Sequence, residues 1–187
     1  MRVVGGRLKG LALAGPKGSA IRPTSDRLRE SIFNMLAHGY DDPVTGARVL
    51  DLCAGTGAMG IEALSRGARS AVFVDISAEA RALIRRNLDS AGIMGLARIS
   101  RRDVAHLGPA GAQGGFTLAF LDPPYGKGLA GKALKSLVKG GWLADGALVL
   151  VEDAADAELA APTAFQSIEA RPHGDTRLHV LRFSAGQ

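Results

Sequence analysis

The chain has 187 residues, of which 47% are hydrophobic and 22% are charged, a composition typical of one globular domain with a sizeable core. No apolar run approaches the ~20 residues of a membrane span, and the single cysteine, Cys53, excludes an internal disulfide. The four histidines lack metal-ligand spacing, and the N-terminus has no signal-peptide core. We therefore expect a cytoplasmic protein that needs neither a membrane nor a metal.

The net charge of +5 is concentrated at one end of the chain. Residues 1–40 hold seven Lys and Arg against two acidic residues, so this segment carries the whole excess. Clustered positive charge is expected of a protein that binds a polyanion. A solvated basic face has the same composition, so the charge alone leaves both interpretations open.

The same basic segment is predicted to form an extension at residues 1–40. Brief apolar pieces at residues 2–4 and 11–13 are separated by glycines and indicate a short hairpin or arm. Thr24 or Ser25 can then cap a helix. The apolar residues of this helix recur at helical spacing and are Leu28, Ile32, Met35 and Leu36.

Predicted strands and helices alternate through the remaining residues, 41–187. The strands are predicted at 47–52, 70–75, 96–103, 116–122 and 146–153, and the helices at 58–67, 77–92 and 129–140. Residues 165–183 are predicted to form two strands around a Gly174-Asp175 turn. Helical crossovers between strands predict an α/β domain with a seven-stranded, mostly parallel sheet and an antiparallel C-terminal strand.

A glycine-rich turn, Gly55-x-Gly57-x-x-Gly60, follows the first predicted strand. The glycines permit a tight turn, and the start of the next helix offers N–H donors to a ligand. Nicotinamide and flavin enzymes use this pattern, and a loop that binds nothing would also fit. Asp51, four residues before Gly55, would repel a pyrophosphate but attract the ammonium and sulfonium groups of S-adenosylmethionine (AdoMet).

Asp51-x-x-x-Gly55-x-Gly57 therefore resembles motif I of the class I AdoMet-dependent methyltransferases. Asp75 ends the second predicted strand, where an acid can accept both ribose hydroxyls, although dehydrogenases place an acid there too. Asp103 ends the third strand, where such folds hold the adenine amino group; a helix cap or a surface acid fits it equally. The residues assigned to the cofactor are Asp51, Cys53, Ala54, Gly55, Thr56, Gly57, Asp75, Ile76, Asp103 and Val104, with Cys53 as a small turn residue and not a nucleophile.

The fourth predicted strand ends in Asp122-Pro123-Pro124-Tyr125. Each proline restricts the residue before it and fixes its own φ, so the chain leaves the sheet in a stiff, extended form. Asp122 can accept a hydrogen bond from an exocyclic amine, and Tyr125 can stack on a base. A double-proline turn with a packed tyrosine is the alternative.

The tetrapeptide resembles the [DNS]-PP-[YFW] signature of methyltransferases that act on planar amino nitrogens. Hydrogen-bond acceptors on such an amine localise its lone pair and align it for in-line attack on the sulfonium methyl group, a gain in orientation and electrostatics. The resemblance makes Asp122, Pro123, Pro124 and Tyr125 the catalytic residues. The proton would leave late, to Asp122 or to water.

Six segments resemble, in order, the RsmD family of bacterial methyltransferases: VVGGRLKGLAL, RPTSDRLRESIFNML, DLCAGTGAMGIEALSRGA, FLDPPY, GWLADGALVLVE and HGDTRLHVLRF. The resemblance covers nearly the whole chain and implies a Rossmann-like class I methyltransferase fold that converts AdoMet to S-adenosylhomocysteine. It also implies methylation of N2 of guanine 966 in 16S rRNA. Tyr125 and Cys53 depart from the phenylalanine that is common in the family; either aromatic ring can stack, and Cys53 affects only local packing.

The family resemblance and the charge together imply that the extension binds rRNA, which we expect the protein to meet as a monomer in a small-subunit assembly intermediate. The residues expected to contact phosphates are Arg2, Arg7, Lys9, Arg22 and Arg27, with Arg22 nearest the target nucleotide. Three alternatives remain: a methyltransferase for adenine N6 or a glutamine amide, a nicotinamide-dependent oxidoreductase, and a non-catalytic RNA-binding module. The basic extension argues against the first alternative, and Asp51 argues against the second. The third is disfavoured because a suitable residue occupies every expected site position.

Overall fold

A computed structural model describes residues 1–16, 25–125 and 128–186. Helices and strands alternate along most of this part of the chain. Its helices and strands are α1 (Asp26–Gly39), β1 (Arg48–Leu52), α2 (Ala58–Ser65), β2 (Ser70–Val74), α3 (Ala78–Ala91), β3 (Ala97–Ser100), β4 (Phe116–Leu121), α4 (Leu129–Gly140), β5 (Leu143–Ala154), β6 (Phe165–His173) and β7 (Thr176–Phe183).

The seven strands form one sheet in the order β3-β2-β1-β4-β5-β7-β6. The first five are parallel, and β7 runs antiparallel to both of its neighbours. This confirms the predicted α/β fold. The strand order reverses between β1 and β4, and the crevice at the carboxyl ends of strands at such a switch point is where ligands of α/β sheets bind.

Successive strand residues point to opposite sides of the sheet, and helices cover both sides. Val49 of β1 belongs to the core beneath α1, α2 and α3. Its neighbour Leu50 belongs to the core beneath α4. The apolar residues of α1 predicted from helical spacing are buried or half-buried against the first core. Ser25 caps this helix by accepting a hydrogen bond from the Leu28 N–H group, as one of the two predicted caps.

Two strand boundaries differ from their predicted positions by three residues. The third strand ends at Ser100 instead of residue 103, because β3 is an edge strand whose pairing with β2 stops there. β5 begins at Leu143 instead of residue 146, since a register shift against β4 lets the strand continue through Gly146 at φ +76°. The closing hairpin supplies the edge of the sheet, where β6 pairs antiparallel with β7.

The predicted N-terminal hairpin is reduced to one antiparallel bridge, between Arg2 and Ala12, with a short 3-10 helix over Gly6–Leu8. The arm, residues 1–14, lies against α2. The carboxylate of Glu62 accepts from the Val4 N–H group at 2.9 Å, and the hydroxyl of Ser65 both accepts from the Leu8 N–H group and donates to the Gly5 carbonyl. Main-chain hydrogen bonds to two buried α2 side chains therefore fix the position of the arm.

Candidate active site

A cavity of about 870 Å³ opens at the carboxyl ends of the strands, within the size range of small-molecule sites. Nearly all of the residues assigned to the cofactor and the amine contribute to its wall; Gly57 does not. Those that line it are Asp51, Cys53, Ala54, Gly55, Thr56, Asp75, Ile76, Asp103, Val104, Asp122, Pro123, Pro124 and Tyr125.

Asp51 is a buried acid in this wall and is only 3% exposed. One carboxylate oxygen accepts a hydrogen bond from the Gly60 N–H group at 2.9 Å. Burial, together with the charges of Asp122 and Asp75, raises the pKa of Asp51 to about 8 despite that bond. An acid in this setting favours a bound cation, because a positive group would offset both desolvation and repulsion. This corner of the cavity therefore suits a positively charged group.

Gly60 makes the contact with Asp51 sterically possible. A Cβ atom at position 60 would lie 2.4 Å from the ring of Phe73 and 3.1 Å from the Asp51 carboxylate. Gly57, at the N-cap of α2, has φ +77°, a conformation that glycine adopts without strain. The glycine pattern thus serves close packing of the turn against β1 and β2.

Asp75 holds the glycine-rich turn from the neighbouring strand end. Its carboxylate accepts hydrogen bonds from the N–H groups of Gly55 at 2.9 Å and Ser77 at 2.8 Å. Cys53 lines the same cavity, and burial, together with the charge of Asp75, raises the pKa of its thiol to about 12. A thiol with so high a pKa is a poor nucleophile near neutral pH, in agreement with its assignment as a turn residue.

Asp103 follows the end of β3 by three residues and is a helix cap, one of the alternatives that the sequence left open. It caps the 3-10 helix Val104–His106 and accepts from the Ala105 N–H group at 2.9 Å, which lowers the pKa of Asp103. Asp103, buried Val104 and Asp75 at the end of the second strand all line the cavity. Ile76, 62% exposed, adds an apolar surface to the same wall.

The tetrapeptide leaves β4 at the predicted place. The Asp122 N–H group donates to the Leu52 carbonyl at 3.4 Å, which continues the pairing of β4 with β1. Asp122 is half-buried, whereas Tyr125 is exposed at the cavity mouth. The Tyr125 hydroxyl donates to the carboxylate of Glu152 at 3.2 Å. Asp122 and Tyr125 therefore face the same cavity as the glycine-rich turn.

The basic residues of the extension lie apart from the cavity wall. Arg2, Arg7, Lys9 and Arg27 are exposed, and none of them lines the cavity. Arg2 is 72% exposed at its side chain and lies 3.8 Å from a carboxylate oxygen of Asp26. Arg22 lies outside the described residues. Arg2, Arg7 and Lys9 are thus open to solvent on an arm whose main chain is fixed, and Arg27 is open to solvent on α1.

Asn87 joins the arm to the glycine-rich turn, and the sequence did not single it out. This buried side chain of α3 accepts from the Ala14 N–H group at 2.8 Å and donates to the Ala14 and Thr56 carbonyls at 3.1 and 2.9 Å. An available signal was its position: Asn87 is the polar member of the helical stripe that contains Ile84 and Leu88.

Other wall residues come from distant parts of the chain and carry no local signal. Ser25 and Leu28 at the start of α1, Glu152 near the end of β5, and the β6–β7 turn at residues 173–176 line the cavity mouth. Over the described ranges, no group of three or more His, Cys, Asp or Glu is arranged to hold a metal. No helix in that part of the chain has the length and apolar character to cross a membrane.

A seven-stranded sheet with an antiparallel seventh strand, a glycine-rich turn after β1 and acids at successive strand ends define a class I methyltransferase fold. The family model described as Conserved hypothetical protein 95 matches residues 1–182. The chain therefore belongs to that family, the RsmD family.

Similar proteins agree with this assignment. The chain is 42% identical over 140 residues to the YlbH protein of Bacillus subtilis, covering 74% of this chain and 73% of the relative. It is 34% identical over 152 residues to ribosomal RNA small subunit methyltransferase D of Escherichia coli K12, covering 81% and 74%.

Solved structures show the same fold over nearly the whole chain. The yhhF protein of Escherichia coli superposes with a TM-score of 0.83 at 29% identity, covering 99% of this chain and 98% of that one. An RNA methyltransferase of Salinibacter ruber, solved with S-adenosyl-L-homocysteine, has a TM-score of 0.64 at 16% identity, covering 89% and 96%. At that identity it supports the fold alone.

Proposed function

We propose that the protein methylates N2 of a guanine in 16S rRNA, with AdoMet as the methyl donor. Homology indicates the general activity of a small-subunit rRNA methyltransferase, without the target atom. The observation that carries the finer proposal is the meeting of two motifs in one cavity: the acid-flanked glycine-rich turn after β1, and the Asp122–Tyr125 tetrapeptide after the adjacent strand β4.

The cofactor end of the cavity is assigned to the residues held by main-chain hydrogen bonds. Asp51 would receive the ammonium group, Asp75 the ribose hydroxyls, and Asp103 the adenine amino group, with Ile76 against the adenine ring. AdoMet supplies an electrophilic methyl group when bound and leaves as S-adenosylhomocysteine. The turn residues bring the main chain close enough to surround such a ligand without a side chain in the way.

Asp122 is assigned to the exocyclic amine. Its carboxylate would accept a hydrogen bond from the amino group, keep the nitrogen lone pair from spreading into the base, and receive the proton or pass it to water. The two prolines hold Asp122 in an extended conformation, and Tyr125 provides a stacking surface at the mouth. The target base must leave its stack to reach this site, at a cost of a few kcal/mol.

The N-terminal extension is assigned to the rRNA backbone. Arg2, Arg7, Lys9 and Arg27 present exposed charges that would contact phosphates and position the substrate, and we extend this role to Arg22. The fixed main chain of the arm supports residues 1–40 as an RNA-binding extension of the methyltransferase domain at 41–187. We further propose that the protein acts as a monomer on an assembly intermediate, for which naked 16S rRNA, partial particles and complete subunits are the substrates to compare.

The test combines a product map with a variant. The protein is incubated with radiolabelled AdoMet and small-subunit particles that lack the modification, and the labelled nucleotide is identified. We expect label on guanine N2, and a loss of about 100-fold or more in kcat for Asp122→Ala with AdoMet binding largely retained. Asp156→Ala, an exposed acid outside the cavity, serves as the control. Label on adenine or protein, or an active Asp122→Ala variant, would refute the proposal.

A further inference from the structure

Glu152 is a cavity acid to which the proposed reaction gives no role. It lies in β5, and Val151 of β5 pairs with Leu121 of β4 in parallel register. Asp122 and Glu152 are the next residues after this pair, so they lie side by side on adjacent strands about 4.8 Å apart. Both line the cavity, and the Tyr125 hydroxyl donates to Glu152 at 3.2 Å. The carboxylates of Asp122 and Glu152 thus line the same cavity as the Tyr125 ring, which is proposed to stack on the base.

The hydrogen-bonding edge of the base determines what a second carboxylate would do. Guanine carries two adjacent donors, the N2 amino group and N1–H, and a carboxylate accepts from both kinds of group. Adenine and cytosine carry an unprotonated ring nitrogen beside their amino group, which is an acceptor. An acceptor placed against a carboxylate is repelled, so a carboxylate at this position favours guanine.

We propose that Glu152 reads the N1–H group of guanine while Asp122 holds the N2 amino group, which makes Glu152 a residue that determines base specificity. This inference rests on the proposed function. Sites built to hydrogen-bond a substrate N–H group reject analogues that lack it more strongly than apolar pockets reject a missing methylene. A flipped base is read at this Watson–Crick edge in other base-modifying enzymes.

A purely structural role for Glu152 is the competing explanation. Its carboxylate could serve only to hold the tetrapeptide through the Tyr125 hydroxyl. A carboxylate has about four acceptor positions, so the bond to Tyr125 is compatible with reading a base. The two explanations differ in what they predict for glutamine at this position, because its amide oxygen still accepts from the Tyr125 hydroxyl while its amide N–H group donates.

The experiment uses two substrates whose target bases differ in whether N1 carries a hydrogen; the second base also lacks the C6 carbonyl, a difference that is the same for every protein variant and cancels when their ratios are compared. Small-subunit particles are assembled from ligated 16S rRNA with either guanine or 2-aminopurine at the target position; 2-aminopurine keeps the C2 amino group but has no hydrogen on N1. The measured quantity is the ratio of kcat/KM for guanine to that for 2-aminopurine. It is determined for the unaltered protein, Glu152→Gln, and Glu158→Gln as an exposed control acid outside the cavity.

We expect Glu152→Gln to lower this ratio by about 10- to 100-fold, in line with the discrimination of a good base contact, and Glu158→Gln to leave it unchanged. A loss of folded protein lowers both rates equally and leaves the ratio intact. If the variant is too slow to assay, equilibrium binding of the two particles in the presence of S-adenosylhomocysteine gives the same comparison, read from 2-aminopurine fluorescence and competition. An unchanged ratio overturns the role of Glu152.

Failure of the proposed function has a different signature. If the unaltered protein places no methyl group on guanine N2, the proposed reaction itself is wrong, and the reading of guanine by Glu152 is wrong with it. If the unaltered protein methylates guanine N2 and the ratio does not respond to Glu152→Gln, only the present inference is wrong.

Discussion

The two halves of the cavity are built by different kinds of contact. In the cofactor half (Asp51, residues 53–56, Asp75, Ile76, Asp103 and Val104), the acids accept hydrogen bonds from main-chain N–H groups. In the acceptor half (Asp122–Tyr125, Glu152 and the β6–β7 turn), a tyrosine hydroxyl donates to a carboxylate. Main-chain contacts survive most substitutions, whereas side-chain pairs change with sequence. The first half thus suits a ligand shared by the fold, and the second suits a substrate particular to the family.

The largest expected effect distinguishes the cofactor half from the acceptor half by comparing AdoMet affinity with kcat. Asp75→Ala removes the acceptor for the Gly55 and Ser77 N–H groups, and we expect the Kd for AdoMet to rise about 10- to 100-fold because hydrogen bonds to charged groups contribute about 1.5–3 kcal/mol. Isothermal titration calorimetry measures this, with Asp89→Ala, an exposed acid of α3, as the control. Asp122→Ala should show the reverse pattern, a loss of kcat with little change in Kd. Equal effects of both variants on Kd would contradict the division.

The cofactor half was largely predictable because its determinants are local. A strand, a turn and a helix follow one another within a few residues, so the spacing of Asp51 and the glycines is visible in the sequence. Asp75 and Asp122 were found because strand ends meet at one edge of a parallel sheet. The strand boundary before Asp103 was misplaced because an edge strand can stop wherever its single neighbour stops, which the pattern of side chains does not determine.

The acceptor half was predictable only in part. Glu152 resembles any acid near the end of a strand, and its position beside Asp122 depends on the order of β4 and β5 in the sheet. The β6–β7 turn reaches the mouth because β7 enters the sheet antiparallel to β5, which brings residues 173–176 back to the same edge. Such neighbours follow from tertiary packing, and no short motif encodes them.

The next effect tests whether the cofactor half depends on the arm. Asn87→Ala leaves the N–H and carbonyl groups of Ala14 and the carbonyl of Thr56 without this amide, and a buried polar group without a partner costs about 1–3 kcal/mol. We expect a lower midpoint of urea unfolding, faster amide hydrogen exchange in the arm and weaker AdoMet binding. Asn34→Ala, an exposed asparagine of α1, is the matched control. Arm exchange rates equal to those of the control would show that Asn87 does not connect the two regions.

A smaller effect follows from the protonation of Asp51. Its pKa is about 8 in the folded ligand-free protein against an ordinary value of 3.8, so between these values the folded state binds more protons than the unfolded state. The free energy of unfolding should therefore fall as the pH rises through this window. Asp51→Asn, which keeps an acceptor for the Gly60 N–H group, should flatten the dependence in thermal unfolding.

The same group links AdoMet binding to pH. A cation beside Asp51 favours the carboxylate, so AdoMet should bind more tightly as the pH rises toward the pKa of about 8 and should displace a proton at neutral pH. Calorimetry in two buffers of different ionisation enthalpy counts that proton, and Asp51→Asn should abolish it. A proton count of zero for the unaltered protein would contradict the placement of the ammonium group at Asp51.

The smallest effect concerns the arm itself. Reversal of Arg7 and Lys9 to glutamate should leave the fold intact, because main-chain groups of the arm make the bonds to Glu62 and Ser65. We expect weaker binding of 16S rRNA, with a plot of log K against log salt whose slope is reduced by about two, one for each phosphate that the arm no longer neutralises. Arg86→Glu, an exposed arginine of α3, provides the comparison. If it lowers the slope as much per charge as the arm variants do, then rRNA responds to the overall charge of the protein and not to the arm; a smaller change supports the arm as the surface that meets the backbone.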